Sequence, residues 1–125
     1  MLLRRHSPFR FWQSVTGSLN EDEVPEDAAR RELREETGLS EAGVLYDTGV
    51  SRRFVIDPRW LDRYPRGVTA NVEHEWHYRL PVKREIRIDP DEHSEFCWKA
   101  LPDAVDAVWS WTNKEALQNL QANLS

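Results

Sequence analysis

Residues 17–39 constrain this chain more than any other stretch. Gly17-Ser18-Leu19-Asn20-Glu21-Asp22-Glu23 leads into Val24 to Arg30, followed by Arg31-Glu32-Leu33-Arg34-Glu35-Glu36-Thr37-Gly38-Leu39. A glycine-led loop opens a helix and a glycine closes it. Pro25 suits the first helical turn, where a missing N–H costs nothing, and Gly38 suits a left-handed stop. Between them lie Ala28, Ala29, Leu33 and several Arg and Glu residues, mostly good helix formers. Ala29 and Leu33 share one face and can pack on a core, while Glu32 and Glu36 share another, with Glu35 beside them.

Those carboxylates repel, at roughly 0.2–0.5 kcal/mol per pair on an exposed helix. Arg30, Arg31 and Arg34 flank them, so one reading is a solvated, salt-bridged helix face. The other is a site for a hard cation. Mg²⁺ takes oxygen ligands, keeps some of its waters and bridges to substrate phosphates. Clustered carboxylates facing a phosphorylated substrate supply what that chemistry needs.

The arrangement Gly, five residues, Glu, seven residues, Arg-Glu-apolar-any-Glu-Glu-any-Gly-apolar resembles the Nudix box. Gly17, Glu23, Arg31, Glu32, Leu33, Glu35, Glu36, Gly38 and Leu39 match it without a gap. So many fixed positions in one window favour the cation-site reading over the surface-helix one. The resemblance implies an α/β (α+β) Nudix fold, a mixed sheet sandwiched between helices. It implies one domain over residues 1–125, with the box at 17–39. It also implies hydrolysis, with Mg²⁺ (or Mn²⁺ in its place), of a nucleoside diphosphate linked to another group. By that resemblance Glu32 and Glu36 bind the metal, Glu35 is a further ligand or stands just behind, and the Gly17 carbonyl is an additional ligand. Arg31 orients the carboxylates, and Glu23 anchors the box loop. Nudix enzymes often add a glutamate from outside the box, as ligand or as the base that activates water. Glu92 is the candidate, with Glu95 and Glu73 as rivals. The catalytic set is then Glu32, Glu35 and Glu92, and His93 is structural or a donor to substrate. A non-catalytic Nudix-fold binding module is the remote alternative, disfavoured because every box glutamate is retained.

The 125 residues suffice for one domain and one core. A net charge of -5 argues against a nucleic-acid backbone as the main partner. It suits a small triphosphate only where arginines and a cation reverse the local field. A lone cysteine, Cys97, excludes an internal disulfide and fits the reducing cytoplasm. No apolar run approaches the ~20 residues that span a bilayer, so no membrane partner is expected.

Met1 to Arg5 reads as the end of a strand, with apolar residues running straight into two arginines. By resemblance, roughly 20–30 residues of a typical domain, the length of two short strands and a turn, precede this point, leaving the chain N-terminally short. Pro8 lies in a loop, Phe11 to Thr16 form a strand, and Val44 to Ile56 form one or two more. Residues 57–69, with Pro58, Pro65 and Gly67, form a long loop with room for one helical turn. Asn71 to Leu80 alternate as a strand; Ile86 and Ile88 indicate a short one, and Glu95 to Trp98 the last. Pro102 to Val108 is a short helix. Thr112 and Glu115 form a capping box for a final helix whose Leu117, Leu120 and Leu124 face the sheet.

Three stretches outside the box bear on the substrate: Phe11 to Ser18, Tyr64 to Thr69 before Asn71 and Glu73, and Ser110-Trp111 before Asn113. They are similar to the branch of the family that cleaves dihydroneopterin triphosphate in bacterial folate synthesis. That likeness puts Arg4, Thr16, Phe54, Val55, Ile56, Asp57 and Ser110 at the substrate site. Arg4, next to Arg5 at a strand end, would clamp phosphate. Val55 and Asp57 depart from the acidic and aromatic residues expected there. The alternative substrate class is an oxidised purine nucleotide, also flat and also leaving pyrophosphate. Six tryptophans are many for this length, and Trp109 and Trp111 bracket Ser110, where a flat ring could rest.

Overall fold

A computed structural model describes residues 1–7, 9–17, 19–20 and 22–124. The loop position of Pro8 and the box-loop positions of Ser18 and Glu21 lie outside the described residues. The order of elements is β1 Leu2–Arg5, β2 Phe11–Gln13, α1 Pro25–Thr37, β3 Val44–Val55, a 3-10 segment Pro58–Arg63, β4 Ala70–Arg79, β5 His93–Cys97, α2 Leu101–Ala107 and α3 Trp111–Leu124.

The strands form two sheets, β2-β1-β5 and β3-β4, and the pairings within each are antiparallel. A parallel bridge joins Trp12 to Val108 beyond the end of α2. Leu2 and Leu3 are both 0% exposed. Adjacent strand residues point to opposite faces, so β1 is covered on both sides. Leu2 packs with Ala104 and Val108, and Trp12, Cys97 and Leu117 close around them, placing α2 and α3 on that face. The other face carries Leu3 and, past a register shift between Arg4 and Arg5, Arg5.

The box helix behaves as its sequence dictates. Pro25 opens it, Gly38 ends it at φ 76°, and the Gly38 N–H donates to the Arg34 carbonyl. Ala28 and Leu33 are buried, as is Glu36. β3 is one long strand, irregular between Asp47 and Ser51, where Gly49 adopts φ 71°.

Four local expectations are corrected. β2 stops at Gln13 rather than Thr16, because the Ser14 N–H leaves the ladder to donate to Asn113 Oδ1 on α3. Ile86 and Ile88 lie in extended chain that joins no sheet; the Arg87 N–H donates to the Thr37 carbonyl at the end of α1. α3 begins at Trp111, and Ser110 rather than Thr112 caps it, its Oγ accepting from the Asn113 N–H at 3.2 Å. Leu117 packs on the core, but Leu124 is exposed at the end of the helix.

Candidate active site

Three segments far apart in sequence meet at Glu36. The helix supplies Glu32 and Glu36, the loop before β5 and the first residue of that strand supply Glu92 and His93, and β1 supplies Arg5. Ligand atoms of Glu36, Glu92 and His93 all lie within 4.8 Å of one another. Glu36 is 3% exposed, and Oε2 accepts from the Thr16 N–H at 3.2 Å. Burial, then the charges of Glu32 and Glu92, push its carboxyl up to about 9. A buried carboxylate costs several kcal/mol unless a counter-charge is present, and Arg5 offsets that cost only in part. Burial likewise raises the Glu32 carboxyl, with Arg31 acting against it and Glu35 and Glu92 adding to it.

Arg31 organises the box. It donates from Nε and Nη2 to both Glu23 oxygens at 2.9 Å, and from Nη1 to Glu32 at 2.8 Å and Glu35 at 3.2 Å. Glu23 also accepts from the Asn20 N–H, which closes the loop onto itself. Gly17 lies so close to the Glu32 carboxyl that a Cβ there would collide with it. The loop backbone and the Glu32 side chain are therefore adjacent, a geometry that only glycine permits at residue 17.

His93 is 0% exposed, and its Nε2 is 2.9 Å from the Gln13 side-chain nitrogen. Its Nδ1 is buried with no partner among the described residues. Burial lowers its pKa and favours the neutral ring, an effect that Arg5 and His6 reinforce and Glu92 opposes. An orphaned ring nitrogen beside desolvated carboxylates is a donor set that fits a divalent cation. Glu36, Glu92 and His93 would hold it, with Glu32 adjacent.

The remaining expected residues distribute unevenly. Glu35 projects outward, its side chain 56% exposed against Arg31. Arg4 lies on the Leu2 face of β1, 3.7 Å from Glu95 and over the Trp12 ring. Arg5 is the arginine that feels Glu92 and Glu36, although burial and Arg63 lower its pKa overall. Thr16 reaches the cluster through its backbone. Phe54 is half-buried and Ile56 buried, but Val55 between them is 76% exposed and points the other way. Asp57 turns back onto Arg59, accepting at 2.9 and 2.8 Å. Ser110 is held in the cap of α3, its hydroxyl 2.7 Å from that of Thr112. Gln13 was not foreseen, nor was Arg5 chosen over Arg4. Strand alternation puts Arg5 on the face of Leu3 and Gln13 on the face of Phe11, but does not say which face meets the helix.

This fold and site define a class. Residues 1–120 match the NUDIX domain, and the chain belongs to the Nudix family. It is 35% identical over 127 residues to a dihydroneopterin triphosphate diphosphatase of Haemophilus influenzae, covering 99% of this chain and 79% of that protein. It is 37% identical to the protein of the same name from Escherichia coli K12, over 98% of this chain and 82% of the other. The solved structure of the E. coli dihydroneopterin triphosphate pyrophosphohydrolase superposes with a TM-score of 0.90 at 35% identity, covering 98% of this chain and 84% of that one. No described helix is long and apolar enough to cross a membrane.

Proposed function

We propose that this protein is a Mg²⁺-dependent diphosphatase that hydrolyses dihydroneopterin triphosphate to the monophosphate and pyrophosphate. The observation that carries the reading is the cluster of Glu36, Glu92 and His93, its first and last members buried, assembled from α1 and the approach to β5. Its likeness to two enzymes named for that substrate supports the choice of substrate. The predominance of carboxylate oxygens supports Mg²⁺, and the His93 nitrogen makes Mn²⁺ an effective substitute.

Each residue has a distinct task. Glu36, Glu92 and His93 would hold the cation, with Glu32 and the Gly17 carbonyl adjoining. Bound there, the cation neutralises charge on the phosphates and acidifies water. Glu92, on the loop before β5 rather than on the helix, would accept the proton of the attacking water. Arg5 faces the phosphates from β1 and offers them a forked donor. Arg31 keeps Glu32 aimed by tying it to Glu23, and the Thr16 N–H keeps Glu36 Oε2 in place. Gln13 fixes the His93 ring. Phe54, Ile56 and Ser110 border the ring of the substrate. The lone Cys97 thiol accords with a cytoplasmic setting.

The test is kcat/KM for dihydroneopterin triphosphate against 8-oxo-dGTP, with products separated. The expected result is at least tenfold preference for the pterin and release of pyrophosphate. A preference for the oxidised purine would replace this reading with nucleotide housecleaning, and no hydrolysis of either would leave a binding module.

A further inference from the structure

The two carboxylates on the inner face of β4 differ in how they are satisfied. Glu73 and Glu75 share that face, with Arg52 opposite Glu73 across the β3–β4 ladder and Phe54 opposite Asn71. Glu75 is saturated: it accepts from Arg52 at 2.6 Å and Asn119 at 2.7 Å, and pairs with His77 at 2.6 Å. Arg52 is in turn spent on Glu75 and Glu115. Glu73 makes no ion pair among the described residues, and the Thr112 hydroxyl is the neutral polar group that acts on it. Burial raises its carboxyl, against the pull of Thr112 and Arg52.

Thr112 belongs to a hydrogen-bonded corner. The Asn113 N–H donates to Ser110 Oγ, and the Ser110 and Thr112 hydroxyls bond each other at 2.7 Å. The Asn113 side chain fixes the same corner by bonding Ser14 through both Oδ1 and Nδ2. Glu73 thus stands beside the Ser110–Thr112 corner, on the strand face that carries Phe54, with most of its acceptor sites unused. An ionised carboxylate has about four such sites.

We infer that Glu73 reads the edge of the substrate ring, accepting from the ring N–H and the exocyclic amine of a 2-amino-4-oxo bicyclic ring. This rests on the diphosphatase reading and deepens it. Two parallel N–H donors one atom apart match a carboxylate as a guanidinium does. Pterin and guanine rings present that edge; adenine and pyrimidine rings do not. A saturated carboxylate such as Glu75 cannot serve, and an aliphatic residue at 73 could not distinguish the edges. Glu73, a rival to Glu92 for the cation in the sequence, instead lies at the ring end of the site; its charge is not among those acting on Glu36.

The experiment compares GTP with ITP, which differ by the 2-amino group alone, alongside dihydroneopterin triphosphate, in wild type and Glu73→Gln. Wild type should favour GTP over ITP by roughly tenfold to a hundredfold in kcat/KM, the scale of a hydrogen bond to a charged group. Glu73→Gln should erase that ratio by losing on GTP and on the pterin, through KM, with ITP little changed and the melting temperature kept. An equal fall on all three substrates would show a merely structural residue and overturn the inference, as would an unchanged ratio in the variant. The wild-type GTP to ITP ratio tests it even if the variant fails to fold, since a ratio near one overturns it. A wild type that hydrolyses none of the three refutes the diphosphatase reading itself.

Discussion

A carboxyl group that is 3% exposed beside two other glutamates favours folding only while it holds its proton. Glu36 titrates near about 9 in the fold, against the ordinary carboxylate range near 4.3 when unfolded. Its folded pKa is raised, so the stability linked to it is complete below the unfolded pKa and is lost as pH rises towards 9. Without cation, Glu36→Gln should therefore be more stable than wild type at pH 8, on the order of 1–3 kcal/mol, and the gap should close near pH 4. Melting curves in EDTA at the two pH values check this. Adding Mg²⁺ should then raise the melting temperature of wild type and not of the variant, since binding to the folded state stabilises by RT ln(1 + [L]/Kd). The same variant should lose nearly all turnover. Of these residues, the box glutamates were legible because their spacing is fixed by the helix. Arg5 and Gln13 were not, because which side of a strand meets the helix depends on what covers each face.

At the scale of elements, the loop and helix of residues 17–39 work as one unit. Arg31 ties the loop through Glu23 to the helix through Glu32, and Gly17 leaves no room for a side chain against that carboxyl. Gly17→Ala should cost more in kcat than in melting temperature, because the collision falls on Glu32 rather than on the core. At least a hundredfold loss of kcat is expected, in line with small displacements of catalytic groups. Steady-state kinetics beside a thermal melt separates the two effects. At the C-terminal helix, Ser110→Ala should destabilise by about 1 kcal/mol through the lost cap. Sequence pattern located this helix but put its cap at Thr112. Ser110, Thr112 and Asn113 are all capping residue types, and only the direction of the chain leaving β2 decides among them. Ile86 and Ile88 alternate like a strand, yet no strand among the described residues offers them a ladder; alternation reports a half-buried extended segment, and pairing is a tertiary fact.

Over the whole molecule, the fold brings three chain segments to one point. β1 lies between β2 and β5, so the end of β1 and the start of β5 are neighbours, with Arg5 paired to His93. α1 covers that end with Glu36. The class of fold was legible because the box is local, and the strands announce themselves by alternation. The two-sheet arrangement, with β3 and β4 apart from the other three strands, leaves no local trace and comes from long-range pairing. The central claim is that Glu92, 56 residues beyond Glu36 in the chain, completes one cation-dependent site that splits dihydroneopterin triphosphate. The most direct measurement is pyrophosphate release from that substrate by wild type and Glu92→Gln across a Mg²⁺ titration. Wild type should release pyrophosphate only with the cation present. Glu92→Gln should be slower by about 10²–10⁴-fold at saturating Mg²⁺, the contribution of a positioned base. Equal rates in the two proteins, or release by wild type that persists in EDTA, would contradict the account.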